Sequence, residues 1–222
     1  MKKRFQFLTL LLIGLICFTL TGCDSFSEED AITLVEGDLN SIYKNINDEA
    51  YLKLCDTTEA ERNKLHESSM ESAAASFISY FDFDETMMSQ ETHDRVIGLY
   101  QAIYAKAKFE VTTATASDDK YLVSVTIYPM DIFQKVFLED YDEFYNTYKE
   151  KYDAGMSAEE LEAYYQNGVL DLCEKRLASL DYLSAVTLSV QVVPQEKDGK
   201  VFYSLSESDF SNIDSTIISQ DY

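Results

Sequence analysis

The sequence predicts an α+β fold, with helices packed on one face of a four-stranded antiparallel sheet built from two hairpins. Three observations lead there. Apolar residues recur at intervals of three and four along five stretches, the spacing of amphipathic helices. Strict apolar/polar alternation marks four other stretches, grouped in twos around polar turns. Only two prolines and seven glycines interrupt 222 residues, so long regular elements are expected.

Ser27 with Asp30 reads as a helix start, and Ala31, Val35, Leu39, Ile42 and Ile46 form the stripe that follows. A break near Asn47-Asp48 leads to a short apolar piece, Tyr51–Cys55. Thr58 with Glu61 makes a capping box for a second helix, with Leu65, Met70, Ala73, Phe77 and Tyr80 on its apolar side. Residues 81–88 read as a connection with an acidic tip. A third helix carries Val96, Ile97, Tyr100, Ile103, Tyr104 and Ala107. The period then changes to two. Phe109, Val111, Thr113 and Thr115 alternate with polar or small residues, and so do Tyr121, Val123, Val125 and Ile127, around the polar turn Ser117-Asp118-Asp119-Lys120. Pro129 ends that hairpin. A long helix is expected from Asp131 to Asp153, faced by Phe133, Val136, Phe137, Phe144, Tyr148 and Tyr152. Gly155 closes it, and Ser157 with Glu160 opens another through Leu161, Tyr165, Leu172 and Leu177, with Asn167-Gly168 as a break or kink. Val186, Leu188, Val190 and Val192 alternate cleanly, Asp198-Gly199 turns the chain, and Val201, Tyr203 and Leu205 complete a second hairpin. A short helix after Ser208 carries Ile217 and Ile218.

Residues 58–128 and 131–205 thus follow one helix-helix-hairpin plan twice, without sequences that align. A lone hairpin is marginally stable, so the two are expected to pair into one sheet. This order of elements, with its acidic, tyrosine-rich helices, is similar to exported lipoprotein domains of Gram-positive bacteria, some of them compared with NTF2-like or cystatin-like α+β folds.

The first 23 residues carry a different message. Lys2, Lys3 and Arg4 precede a nearly unbroken apolar run from Phe7 to Phe18, and small residues lead to Cys23. That is the layout of a secretory signal peptide, with a run shorter than the roughly 20 residues of a comfortable membrane span. The basic start favours a cytoplasmic N-terminus. Leu20-Thr21-Gly22-Cys23 resembles the bacterial lipobox. The resemblance implies cleavage between Gly22 and Cys23 and a diacylglycerol on the Cys23 thiol. It divides the chain into a signal peptide over 1–22, a lipidated cysteine and acidic tether over 23–30, and a single exported domain over 31–222. Each buried CH₂ contributes about 0.8 kcal/mol, so two acyl chains hold firmly where one does not. The expected location is the cell membrane, lipid-anchored on its extracytoplasmic face.

Removing the three cations of the signal leaves 15 basic residues against 40 acidic ones, a formal charge of −25. Nucleic acid is excluded as a partner, because phosphate binding needs clustered cations. The charge also opposes adhesion to anionic headgroups, leaving the lipid as the main attachment.

Cys17 lies in the signal run and Cys23 at its end, which leaves Cys55 and Cys173. An exported domain permits a disulfide, but apolar periodic neighbours flank both, and they read as two small buried hydrophobes carrying free thiols. No Cys-x-x-Cys, nucleophile elbow, phosphate loop or His-Glu-x-x-His occurs. His66 and His93 lack a ligand partner at helical spacing. The acid runs Asp82-Phe83-Asp84-Glu85 and Glu139-Asp140-Tyr141-Asp142-Glu143 lack the spacing of a calcium loop and read as solvated faces. No metal or cofactor is expected. The chain holds 16 tyrosines and no tryptophan. Tyr141, Tyr145, Tyr148 and Tyr152 follow one helix and are the candidate ligand contacts, since tyrosine joins apolar area to a polar tip.

The expected function is a membrane-anchored envelope lipoprotein with a non-catalytic binding module for an envelope protein, peptide or small ligand. An enzyme acting on envelope polymers is the alternative and would need paired carboxylates or a His–acid contact in one cleft. A transporter-linked solute receptor fits poorly, because strands and helices do not alternate.

Overall fold

The computed structural model describes residues 26–197 and 200–219. Four helices come first: α1 (Glu28–Lys44), α2 (Glu49–Leu54), α3 (Glu59–Tyr80) and α4 (Gln90–Tyr104). The hairpin β1 (Lys108–Ser117) and β2 (Lys120–Tyr128) follows, then α5 (Ile132–Lys135), a π-helical turn (Val136–Asp140), α6 (Tyr141–Asp153) and α7 (Ala158–Ala178). The chain closes with β3 (Val186–Lys197), β4 (Lys200–Leu205) and α8 (Glu207–Ile217). The sheet has the order β1-β2-β3-β4 with every pair antiparallel, so the two hairpins join as one sheet through β2 and β3. The Asp198-Gly199 turn lies outside the described residues.

Capping chemistry sets the helix starts. Ser27/Asp30, Thr58/Glu61 and Ser157/Glu160 each form the reciprocal box that their sequences predict. α1 ends at Asn45 in the left-handed conformation, which leaves Ile46 outside the stripe and exposed.

α1 is the hub. Ala31, Leu34, Val35 and Leu39 are wholly buried, and Ile42 and Tyr43 nearly so. The helix lies between the sheet, where it meets β1, β2 and β4, and a second layer that includes α2, α3 and α4. Val123, Val125 and Ile127 of β2 and Val190 and Val192 of β3 supply the sheet side of the core. The opposite sheet face carries Ser124, Thr126, Thr187 and Ser189, with the Thr126 and Thr187 hydroxyls 3.0 Å apart, the polar exterior of a one-sided antiparallel sheet.

Several sequence expectations are corrected. The alternation of β1 does not run unbroken. A bulge between Val111 and Thr113 shifts its phase, so Ala114 faces inward and Thr113 and Thr115 are exposed. On α3 the buried line is Arg62, His66, Ser69, Met70, Ala74, Phe77 and Ile78, while Leu65, Ala73 and Tyr80 are only half-buried. Phe81 and Phe83, placed in a connection, are buried in an aromatic cluster with Phe77, Tyr100 and Phe133. The long helix over 131–153 is interrupted by the π turn, where the Tyr141 N–H reaches back five residues to the Val136 carbonyl. Asn167-Gly168 does not break α7. On β4, Val201 is exposed and the adjacent Phe202 buried.

A Cβ on Gly37 of α1 would lie 2.1 Å from Cδ2 of the buried Tyr51 ring. Gly37→Ala should therefore push Tyr51 out of place and cost about 1–3 kcal/mol. Chemical denaturation checks this, and an unchanged midpoint would contradict the packing described.

Candidate functional site

α6 differs from every other long helix of the fold: none of its residues is buried. It is held from one side only. Gly168 of α7 makes room for Phe144, whose Cε2 would stand 2.1 Å from any Cβ there. Phe144 also stacks on Tyr164 at 5.7 Å. At the foot of the helix, Arg176 Nη1 is 2.7 Å from Glu139, its Nε bonds Asp140, and Lys175 Nζ is 3.2 Å from Asp140. These contacts hold the Asp140 carboxyl below its usual range, Arg176 foremost. Glu139 and Asp140 of the second acid run thus form an ion-paired clamp, while Asp142 and Glu143 are exposed. The first is a turn, with Asp84 Oδ1 accepting from the Thr86 N–H and hydroxyl.

The candidate tyrosines line this helix as a ladder. Tyr141 stacks on Tyr145 at 6.0 Å, and Tyr145 on Tyr148 at 5.9 Å. Tyr141 is half-buried with its hydroxyl 3.2 Å from that of Tyr165, which donates to the Phe81 carbonyl at 2.9 Å. Burial pushes the Tyr165 phenol up, so it stays a donor. Tyr148 meets Tyr165 edge-on at 5.6 Å, and burial together with Glu162 raises its phenol too. Tyr145 and Tyr152 remain 48% and 65% exposed, and Leu138 in the π turn 69%. Tyr141 thus ties the ladder to the body of the protein, while Tyr145 and Tyr152 face water. Leu138, which lies in the π turn, is absent from the sequence reading. Such turns recur at functional sites.

The remaining polar groups serve the interior or the surface. His66 is buried with Nδ1 2.7 Å from the Ile42 carbonyl, and His93 lies 3.7 Å from Glu71. Among the described residues no group of three His, Cys, Asp or Glu side chains is placed to hold a metal, and no helix is long and apolar enough to cross a membrane. Arg95 of α4 reaches Asn167, Asp171 and Glu174 and ties α4 to α7. A groove of about 280 Å³ between α1 and α2, lined by Glu36, Gly37, Asp48 and Tyr51 among others, lies at the lower edge of ligand-pocket size. Both Cys55 and Cys173 are buried. Cys173 is a free thiol, whereas Cys55 is disulfide-bonded. The expectation of two free thiols therefore holds for Cys173 and fails for Cys55.

Beneath that groove lies a buried polar cluster that periodicity does not reveal. Tyr51 donates to Asp38 Oδ1 at 2.6 Å, Arg62 Nη1 stands 3.8 Å from the same oxygen, and the Arg62 guanidinium lies 4.9 Å from the Tyr51 ring centre. Burial pushes the Asp38 carboxyl up to about 7, against the pull of Arg62 and Tyr51.

The comparisons with known proteins bear on the fold. The chain is similar in structure to a candidate lipoprotein, ycdA, of Bacillus subtilis strain 168, with a TM-score of 0.59 at 16% identity over 86% of this chain and 56% of that one. The two share a fold, and this chain spans little more than half the length of that protein. No protein family and no curated protein matches the sequence.

The Asp38 carboxyl makes a pH prediction. Folded, it keeps its proton up to about pH 7; unfolded, it releases it near 3.8. The unfolded state thus binds fewer protons in that window, and stability should fall as pH rises through it. In thermal melts from pH 5 to 8, Asp38→Asn should show a flatter pH dependence than the wild type. Parallel curves would contradict the assignment.

Proposed function

We propose that this chain is an envelope lipoprotein, anchored through a diacylglycerol on Cys23 to the extracytoplasmic face of the membrane once residues 1–22 are removed. Its exported domain is a non-catalytic module that binds a cationic segment of a partner protein along the tyrosine face of α6. The lipobox-like Leu20-Thr21-Gly22-Cys23, which lies outside the described residues, supports the anchor, as does the lipoprotein description of the fold neighbour.

One observation carries the binding reading. A helix with no buried residue displays two exposed tyrosines that the core does not need, Tyr152 and Tyr145, the latter stacked on Tyr148. Aromatic faces attract cations, arginine above all. Asp142 and Glu143 flank the ladder, and the mature chain has 40 acids to 15 bases. A basic segment meets both features, whereas an acidic one would be repelled.

Each exposed cation–aromatic contact is worth about 0.5–1 kcal/mol. Replacing both exposed rungs, Tyr145→Ser with Tyr152→Ser, should weaken binding of a nona-arginine peptide about five- to thirtyfold at fixed ionic strength, with the melting curve unchanged. Calorimetric titration checks this. Equal affinity for both proteins would reduce the attraction to bulk charge and overturn the reading.

A further inference from the structure

The first described residue, Phe26, is the only apolar side chain between Cys23 and Ala31, and the fold grips it. Its ring stacks on Tyr203 of β4 at 4.0 Å and meets Tyr121 of β2 edge-on at 5.2 Å, while those two tyrosines stand 5.8 Å apart. The Tyr121 hydroxyl donates to the Phe26 carbonyl. Two residues on, Glu28 Oε1 accepts from the Ala116 N–H at 3.0 Å, and α1 runs from there into the core. The chain therefore enters the domain through an aromatic clip.

The clip sits at one end of the sheet. Tyr121 pairs with Ala116 beside the β1–β2 turn, and with Val192 of β3, whose last residues run on toward the β3–β4 connection. Both hairpins thus turn at this end. The opposite end holds Tyr128 and Met130, where α5 leaves and where Tyr182 bridges Met130 on the return. Seven residue-to-residue steps along β2, from Tyr121 to Tyr128, separate the two ends, about 23 Å.

We infer that these features fix how the domain sits on the bilayer: the sheet end carrying both hairpin turns faces the lipid headgroups, and the end where α5 begins points away. The inference rests on the anchor proposed above. Only three Cα–Cα steps join Cys23 to Phe26, at most about 11 Å. A sulfur held at the membrane surface therefore holds the clip, and the sheet end around it, within one residue-cluster of the headgroups. Without the clip, Phe26 and α1 would form a swivel and the domain would tumble on its tether.

The test uses the full lipidated chain in phosphatidylglycerol–phosphatidylcholine vesicles doped with headgroup spin-labelled lipid. A fluorophore is placed at Asp119→Cys, in the exposed β1–β2 turn, or at Asp181→Cys, which is 78% exposed beside Tyr182. Quenching should be several-fold stronger at 119 than at 181. In a Phe26→Ser background the two should converge, while flotation with the vesicles stays the same. Equal quenching at both sites in a chain that floats and carries Phe26 would overturn the fixed orientation and leave the anchor standing. A chain with Cys23 intact that fails to float would overturn the anchor, and this inference with it.

Discussion

The burial of α1 between sheet and helices is the contact on which the rest depends. No other helix meets both layers so broadly: Leu34, Val35 and Leu39 close the space over β1 and β2, while its other side receives α2, α3 and α4. Burying such side chains is worth about 1.5–3 kcal/mol each. Because the helix is enclosed on nearly every side, it also drags a carboxyl inside. Asp38 is tolerated there through Tyr51 and Arg62, and Gly37 gives Tyr51 the space to reach it.

Seen from that hub, the molecule has two characters. The inner part is cross-braced by apolar packing, by the Arg95 ties between α4 and α7, and by the aromatic cluster around Phe77 and Phe133. The outer part is α6, attached along one side through Phe144 and Tyr141 and clamped at its foot by Arg176. Recognition surfaces commonly combine such a supported scaffold with exposed aromatic rungs. The anchor and the ladder belong to different parts of the path: the tether enters at α1, and the chain reaches α6 only after crossing the sheet.

Much of this was legible in the residues. Ser27, Thr58 and Ser157 announce their helices because a capping hydroxyl and its carboxylate act over three residues, a local rule. The hairpins are legible for the same reason, as period-two runs around Asp118-Asp119 or Asp198-Gly199. What escaped is non-local. The bulge at Thr112 leaves no mark in a run of threonines and alanines. The π turn, with Val136 buried in it, has no local sequence signature. Gly168 looks like a breaker until Phe144 is seen to occupy the space it leaves. Periodicity does not mark Arg62 and His66 as buried, since their partners, Asp38 and the Ile42 carbonyl, lie on another helix. Of the site, the tyrosine spacing was visible and the exposure was not.

The account's central claim is that the sulfur three residues before Phe26 carries lipid and so joins the membrane to the hub helix. The most direct check is mass spectrometry of the N-terminal peptide of the protein taken from its native membranes. The prediction is a peptide that begins at Cys23 and bears the mass of a thioether-linked diacylglycerol. A peptide that still begins at Met1, or a Cys23 sulfur that is bare or joined to another cysteine, would contradict it.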